Sequence, residues 1–259
     1  MLVDTHCHLN EPSLFHALPQ VISRARAQGV TAFIVPSYDG KSLARTALLA
    51  HRHPDTLFPA YGIHPWHVED SPDLEEVRLH AMGGHAVAIG EIGLDFSPDL
   101  PSRQTQEKVL AAQLDLAVEL GLPVLIHCRK AHEALHGMLA QYRKRLRGVM
   151  HSFSGSLEQM EWFLELDFYI AFSGSVTRST AKRYHKNALH VPAGRMLLET
   201  DAPSIATETT PASEVEPFHV VEVAGKLAEL RGVSYEEICS VTTENAARLF
   251  SLSRQSGGR

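Results

Sequence analysis

His6 and His8, in the run Asp4-Thr5-His6-Cys7-His8, put two imidazoles one residue apart at the start of the chain. On a strand, side chains two positions apart share a face, so this spacing lets both rings hold one cation. Four further residues of metal-ligating type each follow a short apolar run: Glu91 after Ala88-Ile89-Gly90, His127 after Val124-Leu125-Ile126, His151 after Val149-Met150, and Asp201 after Leu197-Leu198-Glu199-Thr200. A lone His in such a place is usually a core or loop residue. A carboxylate there is harder to explain without a cation, because a buried unpaired charge costs on the order of several kcal/mol. All six occupy the same place relative to their apolar runs, which points to one divalent-metal site suited to hydrolysis.

Imidazole and carboxylate donors suit Zn²⁺, Mn²⁺, Co²⁺ or Fe²⁺, and the carboxylates also admit Mg²⁺. Four histidines and two carboxylates exceed the three protein ligands typical of a mononuclear catalytic zinc site. One or two ions per chain are therefore expected, two being the economical reading. Glu91 would bridge the His6/His8 group and the His127/His151 group, with Asp201 beside the first. Ions held there would acidify a water and neutralise charge on the attacked group, and Asp201 could accept the water's proton and pass it to the leaving group.

The elements that must position these residues alternate along the chain. Strands are expected at roughly Leu2–Cys7, Ala32–Pro36, Leu57–Tyr61, Ala86–Gly90, Pro123–His127, Gly148–His151, Phe168–Phe172 and Met196–Thr200. Helical patterns fall between them: Ser13–Gln28 closed by Gly29, Lys41–His53 closed by Pro54, Ser71–Met82 opened by Ser71-Pro72, and Ser102–Leu120 closed by Gly121. Others cover Lys130–Arg147, Ser156–Glu165 behind a Ser156-x-x-Gln159 capping box, Thr180–Leu189 and Pro217–Arg231. Ser234-x-x-Glu237 opens one more helix to about Phe250, and 251–259 reads as a frayed tail. Eight β-α units predict an α/β fold, a (β/α)8 TIM barrel with an extra C-terminal helix, built as one domain over 1–259. Chemistry in such barrels gathers at the C-terminal ends of the strands, so all six candidates would converge on one mouth. The basic run Arg143-Lys144-Arg145-Leu146-Arg147 would lie at the opposite end, on a helix C-terminus.

The 259 residues can bury a large core, and 44% hydrophobic content with a mean hydropathy of −0.10 fits a globular chain. A net charge of −6 and pI near 6.2 exclude a broad basic nucleic-acid footprint. They leave room for a nuclease whose contacts are confined to a cleft. Cys7, Cys128 and Cys239 are odd in number and form no C-x-x-C pair, so no disulfide framework is expected, and Cys7 and Cys128 read as packing residues. No membrane span and no signal-type leader is evident, which makes a cytoplasmic location the default.

The set Asp4-Thr5-His6-Cys7-His8-Leu9, Gly62-Ile63-His64-Pro65, Gly90-Glu91-Ile92-Gly93-Leu94-Asp95, Ile126-His127-Cys128-Arg129, His151-Ser152-Phe153-Ser154-Gly155-Ser156 and Leu198-Glu199-Thr200-Asp201-Ala202-Pro203 resembles the TatD family of metal-dependent deoxyribonucleases, within the amidohydrolase superfamily. The likeness runs in order from about residue 1 to 250. It implies that His6, His8, Glu91, His127, His151 and Asp201 are metal ligands, and that the substrate is DNA, cleaved at phosphodiesters as by a 3′-to-5′ exonuclease on single strands. Two positions depart from the family pattern: Val215-Glu216-Pro217 stands where an N-x-P element is usual, and Ser152 where Cys is frequent. Further mouth residues are substrate-binding candidates: His64 and, more weakly, His67 after strand three, Asp95, and the phosphate-clamp candidates Arg129 and Arg178. Asp95 has a second reading as the outer partner of a ligating histidine. Two other functions compete: a hydrolase of carboxylic esters or amides, such as an aminoacyl-tRNA deacylase, and a metal-binding protein without turnover. Oligomeric state is left open.

Overall fold

In the computed structural model the described residues are 2–68, 74–83 and 85–252. Eight strands, β1 Leu2–Asp4, β2 Val30–Pro36, β3 Leu57–Tyr61, β4 Ala88–Asp95, β5 Val124–Arg129, β6 Gly148–Met150, β7 Phe168–Phe172 and β8 Met196–Leu198, lie side by side in sequence order. Each pairs in parallel with the next. Beyond the strand ladder, hydrogen bonds between the first and last strands' trailing segments close the seam. Thr5 donates through N and Oγ1 to the Leu198 carbonyl at 3.0 and 2.8 Å, Asp201 N to His6 O at 2.8 Å, and His8 N to Ala202 O at 2.8 Å. The fold is the expected TIM-type barrel.

Ten α-helices accompany the strands among the described residues: α1 Pro12–Phe15, α2 Leu18–Ala27, α3 Gly40–Arg52, α4 Leu74–Met82, α5 Arg103–Leu120, α6 His132–Ala140, α7 Leu157–Glu165, α8 Lys182–His190, α9 Val220–Arg231 and α10 Tyr235–Phe250. Local chemistry sets their ends. Ser102 accepts from Thr105 N at the start of α5, and Gly121 closes it at φ 67°. Ser156 and Gln159 form the reciprocal box that opens α7.

The strand period of two sorts the core into two layers. Val3, Ile34, Ala60, Ala88, Leu125, Val149, Ala171 and Leu197 fill the barrel interior, joined by Ala246, Leu249 and Phe250 of α10. The extra C-terminal helix is thus a plug on that interior cluster, held to β8 by Asn245 Nδ2 donating to Met196 O at 2.9 Å. The alternate residues, such as Phe33, Val35, Val124, Ile126 and Ile170, face the helix ring.

Several boundaries differ from the sequence expectation, each for a physical reason. The helix expected over 13–28 is two, because Pro19 cannot continue a preceding turn and instead sits in the first turn of α2. The helix expected to reach Arg147 ends at Ala140, and the basic run lies in turns leading into β6, where Lys144 has φ 66°. Tyr142 pins those turns by donating to Asp115 Oδ1 at 2.9 Å. The run still lies at the barrel end opposite the strand C-termini, since β6 begins immediately after it. β1 stops at Asp4, whereas β4 runs on to Asp95. Gly93 permits that extension: at φ 151° a Cβ there would fall 1.9 Å from the His127 carbonyl oxygen, so only glycine lets β4 approach β5 so closely. The Ser71-Pro72 start of the fourth helix and tail residues 253–259 lie outside the described residues. Val215-Glu216-Pro217 serves as a junction, Val215 buried and Glu216 accepting from Arg24 Nε and Nη2 at 2.7 and 2.6 Å. No helix among the described residues is long and apolar enough to cross a membrane.

Candidate metal centre

Parity along the strands explains how distant residues meet. His127 stands two positions beyond interior Leu125, and His151 two beyond interior Val149, so both rings face the barrel lumen at its mouth. β4 carries an extra residue between Ile89 and Ile92 against β5, which turns Glu91 into the same lumen. His6 and His8 lie past the end of β1 rather than on it. The seam hydrogen bonds and the Asp4 carboxylate, which accepts from His6 N at 3.2 Å and Thr200 N at 3.0 Å, hold that segment in place.

Glu91 is the hub. Its Oε2 is 3.3 Å from His6 Nε2 and 3.6 Å from His8 Nε2. Its Oε1 is 3.2 Å from His127 Nδ1, 3.4 Å from His151 Nε2 and 3.5 Å from His64 Nε2. Asp201 Oδ1 lies 3.3 Å from His8 Nε2 and 3.7 Å from His6 Nε2, and those two nitrogens are 3.2 Å apart. All six residues expected to be ligands therefore come together, and His64 joins them. His6, His8 and Asp201 form one group of mutually close donor atoms, and His64, Glu91 and His127 another.

The donor set fits divalent ions. Ligand atoms about 2.1 Å from one tetrahedral centre stand roughly 3.4 Å from one another, which matches the spacings around Glu91 and Asp201 better than direct hydrogen bonding does. Among the described residues no Lys or Arg pairs with either carboxylate. The carboxylates instead draw positive charge onto imidazoles. Burial pulls the His151 ring down, but Glu199, Glu91 and Asp201 overcome it and push it up to about 10. Against the same opposing burial, Asp201 raises His8, and Asp95 with Glu91 raises His127. Glu91 itself would be pushed up by burial, yet the facing rings of His64, His6 and His151 hold it well below its ordinary range. Divalent ions would take over the charge that these protons supply.

Carboxylates behind the inner histidines fix their orientation. Asp95, fully buried, places Oδ2 3.4 Å from His127 Nε2 and accepts from Trp66 Nε1 at 2.8 Å, while its Oδ1 accepts from Ser97 N. Its place is behind His127, the outer-partner position, rather than open to the mouth. Glu199 does the same for His151, Oε1 lying 3.0 Å from Nδ1 and accepting from Ser152 N at 2.6 Å. Sequence reasoning passed over Glu199, although it stands two positions beyond interior Leu197, the same parity that marks His127 and His151. His64 is oriented by its own chain: Nδ1 accepts from Trp66 N at 3.2 Å. Burial above all holds that ring well below the usual imidazole range, and with Nδ1 engaged its Nε2 faces the cluster. The remaining candidates stand outside the cluster. Arg129 ends β5 with an exposed side chain, Arg178 is exposed and reaches Ala206 O at 3.3 Å, and half-buried His67 packs against Tyr38.

Comparisons agree with this geometry. The family profile described as TatD related DNase matches residues 3–251. The chain is 35% identical to the uncharacterized metal-dependent hydrolase YabD of Bacillus subtilis over 97% of its own length and 100% of that protein. It is 33% identical to the 3′-5′ ssDNA/RNA exonuclease TatD of Edwardsiella piscicida, over 97% and 100%. The crystal structure of YjjV, a TatD homolog from Escherichia coli K12, superposes with a TM-score of 0.92 at 33% identity, covering 97% of this chain and 98% of that one. With one-third identity sustained across the whole barrel and its mouth, the chain belongs to the TatD family of metal-dependent hydrolases.

Proposed function

We propose that the protein is a nuclease that cleaves phosphodiester bonds in DNA, removing nucleotides from the 3′ end of single strands in the cytoplasm. One observation carries the reading: Glu91 turns Oε2 toward His6 and His8 and Oε1 toward His127 and His151, so that it could serve an ion on either side. Such a pair suits in-line displacement at phosphorus, where both the attacking and the leaving oxygen need charge neutralised. His6, His8, Asp201 and Glu91 would hold one divalent ion, and Glu91, His127 and His151 the other. When bound, the ions supply an acidified water and neutralise the phosphoryl charge.

The chain's own residues do the rest. Asp201 Oδ1 faces His6 and His8, and Oδ2, 4.0 Å from His151 Nε2, would take the proton and return it to the leaving oxygen. His64 Nε2–H donates to a non-bridging phosphate oxygen, and Asp95 and Glu199 keep His127 and His151 aimed inward. Arg129 binds the phosphate flank with its planar fork, and Arg178 extends the cationic edge. The name of the Edwardsiella relative, an exonuclease on single-stranded DNA and RNA, supports the same substrate class.

The test is turnover of a 5′-labelled oligonucleotide, an aryl ester and an aminoacyl-tRNA side by side, each with Mg²⁺, Mn²⁺, Co²⁺, Fe²⁺ and Zn²⁺. A ladder shortening from the 3′ end is expected. Turnover of the ester or the aminoacyl-tRNA with an intact oligonucleotide would overturn the reading, as would no turnover with any metal.

A further inference from the structure

Trp66 is 48% exposed although it stands against the buried polar cluster. It sits in the 3₁₀ turn Pro65–His67 that follows His64. Two hydrogen bonds fix it: its indole Nε1 donates to Asp95 Oδ2 at 2.8 Å, and its backbone N to His64 Nδ1 at 3.2 Å. Asp95 is fully buried and the same oxygen faces His127, so the indole is tied to the groups that orient the centre. The nearest aromatic neighbours do not cover its face in parallel. His64 lies 4.8 Å away at 85° and His127 6.3 Å away at 73°, both edge-to-face. A large aromatic left half in water forgoes the burial that normally stabilises it. Holding it rigid as well prepares a flat apolar surface at a set distance from the site.

The strand that pairs with β4 ends in a cation. Asp95 pairs in register with Arg129 across β4 and β5, and the Arg129 side chain is exposed, without a hydrogen-bond or ion-pair partner among the described residues. An aromatic face held on Asp95 and a guanidinium on the neighbouring strand suit the two parts of a single strand's repeating unit, a base and its phosphate.

We infer that Trp66 is the platform on which an unpaired nucleobase stacks beside the scissile phosphodiester, an inference that rests on the proposed nuclease reading and assigns its preference for single strands to this residue. In a duplex both faces of a base are covered by its neighbours, so the indole can engage only a base that is unstacked. Stacking uses the π-face common to all four bases, so it sets the strandedness of the substrate without a sequence preference.

The experiment measures binding of phosphorothioate-linked oligothymidylate, which resists hydrolysis, and of its abasic tetrahydrofuran counterpart to the metal-loaded full chain, by anisotropy of a fluorescein label. The unmodified protein should bind the base-bearing oligomer about five- to 100-fold more tightly than the abasic one. Trp66→Ala should lose that preference whatever its affinity for the abasic oligomer, and Trp66→Phe, which keeps an aromatic face, should keep it within about threefold. In a Trp162→Phe background, which leaves Trp66 as the sole tryptophan, only the base-bearing oligomer should quench indole emission. Equal binding of both oligomers by the unmodified protein, or full preference retained in Trp66→Ala, would overturn the inference. The two readings fail separately: base-dependent, Trp66-dependent binding without cleavage of ordinary oligothymidylate supports the platform and removes the nuclease, whereas cleavage indifferent to Trp66 does the reverse.

Discussion

Replacing Glu199 with Gln tests whether the carboxylates behind the histidines tune the centre or only pack beneath it. The substitution keeps an acceptor for Ser152 N, which donates to Oε1 at 2.6 Å, and removes the charge beside His151 Nδ1. After burial, that charge is the leading influence on His151 and the main reason the ring is pushed up to about 10. A less basic ring is a weaker ligand, and loss of such an outer partner lowers metal affinity by about 10- to 100-fold, or roughly 1.4–2.8 kcal/mol. The fold should respond too. Glu199 is fully buried and its Oε2 has no hydrogen-bond partner among the described residues, so an amide nitrogen there would bury unmatched donors at a cost of about 1–3 kcal/mol. For a chain of this length that is a melting-point drop of roughly 2–12 °C. In metal-free protein the His151 pKa is raised from 6.5, so its proton stabilises the fold fully below about 6.5 and that contribution is lost as pH rises through about 10. In Glu199→Gln the loss should come at lower pH. Calorimetric titration with Zn²⁺ and Mn²⁺ against a competing chelator gives the affinities, and melting curves from pH 6 to 10, about the range the shift spans, give the rest. Metal affinity within twofold of the unmodified protein, alongside a lowered melting point, would falsify the tuning role and leave Glu199 as packing.

Asp201→Asn keeps a coordinating oxygen but removes the basic site, so metal content should fall modestly while the single-turnover rate drops by about 10²–10⁴-fold; retention of more than about a tenth of the rate with metal bound would assign the proton to another group. His127→Ala should instead lose metal and rate together, as read by elemental analysis of the same samples. Arg129→Ala should raise KM or lower kcat on phosphodiesters, whereas Arg143→Ala and Arg145→Ala at the opposite end of the barrel should change neither by more than about twofold; equal losses would refute the assignment of ends. Purified, reconstituted protein should hold one to two divalent ions per chain, and chelation should abolish turnover while far-UV circular dichroism is retained, because the barrel interior and the layer under the helices each hold a large apolar cluster of their own. Unfolding on chelation would contradict that independence.

Strand number and order were legible because a parallel barrel strand is buried on both faces and reads as an apolar run bounded by turns. Strand ends were not. Asp4 closes β1 because its carboxylate is taken by Thr200 and His6, a contact with a residue 196 positions away that no local pattern contains. β4 outruns its apolar stretch because Gly93 removes the side chain that would block β5. The six ligand candidates were legible from type and place, yet the reason His6 and His8 converge differs from the strand spacing that suggested it, since both lie past β1. Glu199 was hidden by sitting between louder neighbours. Trp66 was hidden because neither exposure nor an indole hydrogen bond leaves a trace in residue spacing.

Seam closure and site assembly are one arrangement. The hydrogen bonds joining the segment after β1 to the segment after β8 run through His6 O, His8 N, Asp201 N and Ala202 O, the backbone of three ligand candidates and of the residue after Asp201. Asp4 adds side-chain contacts to the same two segments, and Thr200 Oγ1, held by Asp4 Oδ2 at 2.6 Å, accepts in turn from Ala202 N at 3.1 Å. A barrel whose first and last strands failed to meet would therefore hold His6 and His8 apart from Asp201, while Glu91 and His127, on β4 and β5, and His151, just beyond β6, would keep their places. The half of the cluster that depends on the seam is the half that carries Asp201. Under the proposed mechanism, proton transfer by Asp201 would consequently be the step most exposed to loosening of the barrel, and metal binding by the His127 side the least.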